Sequence, residues 1–88
     1  MRYCLITFRS VTPAQKGERV LQNGGLICAL QRTPRPMEQK GCGYSLRVRD
    51  IDILPAVALL RSHEVAFKKV YLRRENGTLE ELTDDLFG

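Results

Sequence analysis

An α+β domain, with two helices laid on one face of a four-stranded antiparallel sheet, is what this 88-residue sequence predicts. Three observations point there. Short runs alternate between apolar and polar residues as strands do, two segments carry apolar residues at helical spacing behind capping residues, and their order is β-α-β-β-α-β. The composition agrees, since 43% of residues are apolar and 7% aromatic, ordinary for one globular domain with a modest core. A chain this short buries too small a fraction of its surface to enclose a deep substrate cavity, so a site is expected on the outside.

Residues 2–8 begin the pattern, with Cys4, Ile6 and Phe8 on one face and Tyr3, Leu5 and Thr7 on the other. Both faces are largely apolar, which predicts a central strand. After a turn at Arg9-Ser10-Val11, the sequence predicts a helix capped by Thr12, with Pro13 at its first position and Gln15 closing the reciprocal contact. Its stripe is Ala14, Gly17, Val20 and Leu21, and Asn23-Gly24-Gly25 stops it. Gly17 costs about 1 kcal/mol of helix propensity, so a close approach to the sheet is expected there.

Residues 26–30 form the second expected strand, ended by Thr33-Pro34-Arg35-Pro36 because proline cannot donate into a ladder. Residues 44–49 alternate most cleanly, with Tyr44, Leu46 and Val48 inward and Ser45, Arg47 and Arg49 outward. Asp50 or Asp52 is expected to cap a second helix that tolerates Pro55 in its first turn and carries Val57, Leu60 and Glu64 at helical spacing. Residues 68–73 make the last strand, with Val70 and Leu72 on one side and Lys69, Tyr71 and Arg73 on the other, before a turn at Asn76-Gly77. The order is the ferredoxin-like arrangement, assigned to residues 1–74, with residues 75–88 as an acidic C-terminal extension.

The charge is divided in the same way. The chain carries +4 formally, yet Glu75, Glu80, Glu81, Asp84 and Asp85 all lie in the last segment, which has no Lys or Arg. That leaves a strongly basic domain followed by an acidic end, which either extends into solvent or lies across the basic surface in competition with an acidic partner. The sheet face without helices is expected to gather Arg47, Arg49, Lys69, Tyr71 and Arg73 as a partner-binding set.

Among the three cysteines, Cys4 and Cys28 fall in apolar strand runs, where a free cysteine behaves as a small hydrophobe. Cys42 stands between Gly41 and Gly43, after the basic Arg35 and Lys40, in a setting that would leave a thiol accessible and favour its ionised form. The competing reading makes Cys42 a small filler at a strand entrance. There is no CxxC pair and a single histidine, His63, so no zinc site is expected; phosphate-binding glycine motifs and a magnesium carboxylate cluster are also missing. No cofactor is expected, and the chain does not read as an enzyme. The apolar start at residues 1–8 is too short to cross a bilayer, and a cytoplasmic protein without disulfides is expected.

Two functions fit these features. A single accessible thiolate suffices for a carrier that takes sulfur as a persulfide, or selenium in the analogous form, from a partner enzyme. Arg35 and Lys40 would stabilise the anion, and Gly41 and Gly43 would leave room for the partner's active site. The alternative is a small basic protein- or RNA-binding module with a structural cysteine. Nucleic acid is disfavoured because Ser45, Arg47 and Arg49 stand where an aromatic RNA-binding signature would be expected.

The run Leu5-Ile6-Thr7-Phe8-Arg9-Ser10, then Ala14 and Glu18, then Arg32-Thr33-Pro34-Arg35, then Cys42-Gly43-Tyr44-Ser45-Leu46-Arg47 resembles the selenium/sulfur carrier-like family of bacterial proteins. The likeness covers residues 2–73 and lies in the order of the pieces. It implies that Cys42 is the carrier cysteine, with Pro34, Arg35 and Gly43 around it, served by a cysteine desulfurase-like or selenium-pathway enzyme. The chain departs from the family in Met37-Glu38-Gln39-Lys40-Gly41, where small hydroxyl residues are usual, and it has one extra residue between the arginine and the cysteine.

Overall fold

Two central strands organise the molecule. The computed structural model describes residues 2–33, 43–74 and 77–82, in the order β1 (Tyr3–Phe8), α1 (Val11–Asn23), β2 (Cys28–Arg32), β3 (Tyr44–Arg49), a 3-10 turn (Asp50–Asp52), α2 (Ile53–Ser62), β4 (Val70–Arg73) and β5 (Leu79–Leu82). The sheet is antiparallel throughout, in the order β2-β3-β1-β4-β5. Its first four strands and two helices keep the broadly ferredoxin-like plan. The expected four-stranded sheet is corrected to five, because Leu79–Leu82, from the acidic end, pairs along β4 with Val70 opposite Leu82 and Arg73 opposite Leu79.

The register explains the layers. Residues directly opposite in an antiparallel pair share a face, so Cys4, Ile6 and Phe8 of β1 stand beside Val48, Leu46 and Tyr44 of β3. This is the face the helices cover, and Ile6, Phe8, Leu46, Leu21 and Leu60 are completely buried there. Helix α1 contributes Ala14, Gly17 and Leu21; α2 contributes Ile53, Ala56, Val57 and Leu60. At Gly17 the expected close approach is present, since a Cβ built there would lie 3.1 Å from Phe8 Cζ and 3.2 Å from both Leu46 Cδ1 and Leu60 Cδ2.

Several local expectations are revised. Helix α1 starts at Val11, with Ser10 rather than Thr12 in the cap position, two residues earlier than expected, and no side-chain cap bond. Pro13 therefore occupies the third helical position, where the missing N–H still removes no helical bond. The helix ends in a Schellman motif: the Gly25 N–H (φ 84°) donates to Gln22 O and the Leu26 N–H to Leu21 O. That motif takes Leu26 out of β2, which begins at Cys28 rather than at residue 26 and runs on to Arg32. Helix α2 closes similarly, with Val65 N–H donating to Leu60 O, so Glu64 lies beyond the helix at φ 57° instead of on its stripe. Asp52 sits in the cap position of α2, but its carboxylate accepts from Arg49 Nε at 2.9 Å.

One interior junction and one edge show further adjustment. Before β4, the Lys68 N–H donates to Thr7 O at 2.7 Å while Thr7 N–H donates to Lys69 O at 2.8 Å, so two residues face one as in a β-bulge. At the β2 edge, the Leu30 N–H donates to the Glu18 carboxylate of α1 at 3.3 Å. Among the described residues, no helix is long and apolar enough to cross a membrane.

Candidate functional site

The hairpin formed by β2 and β3 closes its regular pairing at Thr33 and Gly43, where the Thr33 N–H donates to Gly43 O at 3.0 Å. One step further in, Arg32 lies opposite Tyr44 and its guanidinium sits 5.2 Å from the centre of the tyrosine ring, a cation–π contact that fixes the base of the hairpin. Among the described residues, a Cβ built at Gly43 would meet nothing within 4 Å. Thr33 is buried, and its Oγ1 has no hydrogen-bond partner among the described residues. The expected thiol Cys42 and its neighbours Pro34, Arg35, Lys40 and Gly41 lie outside the described residues.

The same end of the sheet carries a cleft that sequence reasoning missed. Phe8 pairs with Tyr44 and Thr7 with Lys68, so the start of α1 and the segment before β4 meet there. Arg9, Ser10, Pro13, Ala66, Phe67 and Lys68 line an open cleft of about 350 Å³. Arg9 and Lys68 are exposed and make no ion pair with a described residue. Only the strand register brings these two cations together; nothing in their separate sequence contexts would have signalled it.

The remaining cysteines sit on the covered face of the sheet. Cys4 and Cys28 both lie opposite Val48, from β1 and β2 respectively, so a full strand separates them. Two strand spacings amount to roughly 9.5 Å, beyond the Cα separation of about 7 Å that a disulfide allows. Both are free thiols. Burial, and secondarily the charge of Asp50, raises the Cys4 pKa from 9.0 to about 11. The Cys28 pKa is raised by burial and then by Glu18, whose backbone carbonyl lies 3.7 Å from its Sγ. Neither environment favours a thiolate near neutral pH.

A pH dependence follows for Cys4, which is 1% exposed. With a raised folded pKa, the unfolded chain ionises first as the pH climbs. The folded state then holds a proton that the unfolded state has lost, so the contribution is complete below pH 9.0 and falls away up to about 11. The loss is on the order of 2–3 kcal/mol, at roughly 1.4 kcal/mol per pH unit. Urea denaturation across that window is expected to show a steeper decline for the wild type than for Cys4→Ala; parallel curves would remove the assignment.

The five residues expected on the helix-free face do share it. Arg49, Tyr3 and Arg73 stand in one row across β3, β1 and β4, and Arg47, Leu5 and Tyr71 in the next. Lys69 reaches Glu81 Oε1 of β5 at 3.0 Å. Arg47 lies 4.9 Å from the centre of the Tyr3 ring. The pairing of Arg49 with Asp52 and of Lys69 with Glu81 was not legible in the sequence, because both partners belong to segments whose path only the structure defines.

No group of His, Cys, Asp and Glu able to hold a metal ion occurs among the described residues. No curated protein and no solved structure matches the chain. A family model does match, over residues 3–72, the span from the start of β1 through most of β4 that contains the hairpin and all of the basic face except Arg73. The chain thus belongs to the family described as "Putative Se/S carrier protein-like".

Proposed function

We propose that this protein is a sulfur or selenium carrier in which Cys42 is the loading thiol. The Cys42 thiolate attacks the terminal sulfur of a persulfide on a cysteine desulfurase-like enzyme; the enzyme's S–S bond breaks, its thiolate leaves, and a persulfide remains on Cys42. The exchange consumes no external oxidant, because the sulfane sulfur arrives already at the required oxidation level. A selenium-pathway enzyme would load selenium by the analogous transfer. Arg35 and Lys40 stabilise the anionic cargo, and Pro34, Gly41 and Gly43 shape the approach. The protein binds and hands over its cargo without catalysing a reaction of its own, in the cytoplasm.

The observation that carries this reading is the withdrawal of the other two thiols in a chain of a carrier-like family. Cys4 and Cys28 are both held in the neutral form by burial, which supports assigning nucleophilic work to the third cysteine. Intact-mass analysis after incubation with a cysteine desulfurase and cysteine is expected to show the added mass of one sulfur atom. The Cys4→Ala/Cys28→Ala protein should retain the adduct, and Cys42→Ser should lose it. No adduct on the wild type, or an undiminished adduct on Cys42→Ser, ends the proposal.

A further inference from the structure

We infer that the helix-free sheet face docks an acidic polypeptide surface of a partner protein, with Arg47 and Arg73 as its leading contacts. The inference deepens the carrier reading, since a carrier must meet the protein that loads or relieves it. Its support is separate, because it comes from the sheet and not from the thiol.

Charge complementarity selects the class of partner. Residues 1–74 hold every Lys and Arg of the chain, and the helix-free face collects Arg47, Arg49, Arg73 and Lys69 around Tyr3 and Tyr71. Two of these cations already have carboxylates: Arg49 pairs with Asp52 and Lys69 with Glu81. Arg47 and Arg73 are exposed and have no carboxylate partner among the described residues. Arginine and tyrosine are the side chains that most often dominate protein interfaces, because each joins a large flat apolar surface to hydrogen-bonding groups.

Two features favour a polypeptide over a nucleic acid. Arg47 covers Tyr3 at 4.9 Å, which occupies the ring face on which a base would stack. The chain also offers an example of the favoured contact: the extended, acidic β5 approaches this face and places a carboxylate 3.0 Å from Lys69. An acidic partner segment would make the same kind of contact with the two unmatched arginines.

The experiment uses fluorescence anisotropy with the full chain, labelled poly-L-glutamate and labelled oligouridine. Polyglutamate is expected to bind, to weaken with added salt, and to lose on the order of tenfold in affinity in Arg47→Gln/Arg73→Gln, as two exposed ion pairs allow. Arg73→Gln alone, which leaves the cover over Tyr3 in place, should account for part of that loss. Arg9→Gln removes an exposed cation elsewhere on the molecule and should leave affinity nearly unchanged. Absent polyglutamate binding, an equal loss from Arg9→Gln, or oligouridine binding at least as tightly overturns the inference. Cys42→Ser should bind polyglutamate like the wild type while failing to take up sulfur, so docking and carriage fail independently.

Discussion

Phe8→Ala is expected to remove about 3–5 kcal/mol of stability, the range for truncating a fully buried aromatic side chain. A chain of this length holds only some 4–13 kcal/mol in total, at about 0.05–0.15 kcal/mol per residue, so the variant should give up about a quarter or more of its stability. The size of the effect follows from where the ring lies. Phe8 is completely buried at the end of the central strand, opposite Tyr44, with its tip against the bare backbone of Gly17. No flexible neighbour fills the space, because Leu46 and Leu60 are themselves fully buried. Equilibrium urea unfolding gives the value directly; a loss below about 1 kcal/mol would mean the helix collapses onto the sheet more readily than a close-packed interior permits. The damage should reach the candidate site, since Tyr44 at the base of the β2–β3 hairpin is registered against this residue.

Gly17→Leu addresses the same contact from the other side. Even a single Cβ at this position would stand 3.1–3.2 Å from three buried side chains, closer than ordinary carbon contacts. Leucine adds a branched chain beyond that carbon. Overpacking costs about 1–3 kcal/mol in typical cores and occasionally more, and this site belongs at the top of that range or above it. The gain of roughly 1 kcal/mol from replacing a helical glycine offsets only part of the penalty. For Gly17→Ala the two terms are comparable, so a small net loss is expected. The ordering alanine milder than leucine, read from the midpoints of denaturation, checks the argument; a leucine variant as stable as the wild type would mean that α1 can lift from the sheet without penalty.

The two faces of β3 were legible from its alternation, because its partners on both sides leave one face covered and one free of helices, but Ser45, expected outward, is completely buried on the helix-free side. The stripe of α1 and the meaning of Gly17 were equally readable, since periodicity alone brings that turn against an apolar sheet. β5 was not. Leu79-Glu80-Glu81-Leu82 carries two carboxylates in four residues and has little strand character by itself. It becomes a strand because Val70 and Leu72 offer a ladder and Lys69 and Arg74 offer opposite charge. The limits of β2 were misplaced for a local reason: Leu26 serves the end of α1 before it can serve a sheet. On the candidate site, parity along two strands was enough to gather Arg47, Arg49, Lys69, Tyr71 and Arg73. The cleft between Arg9 and Lys68 needed the bulged register at Thr7, which no residue pattern announces.

Glu18 has a role beyond its helix. An outer strand normally offers unmet amides to any neighbour that can add itself to the row, which is how many small β-rich molecules come to polymerise. Here the Leu30 amide is already engaged from within, by a carboxylate that would also repel an approaching acidic strand. One amide of that margin is thus withdrawn from pairing with a second copy of the chain.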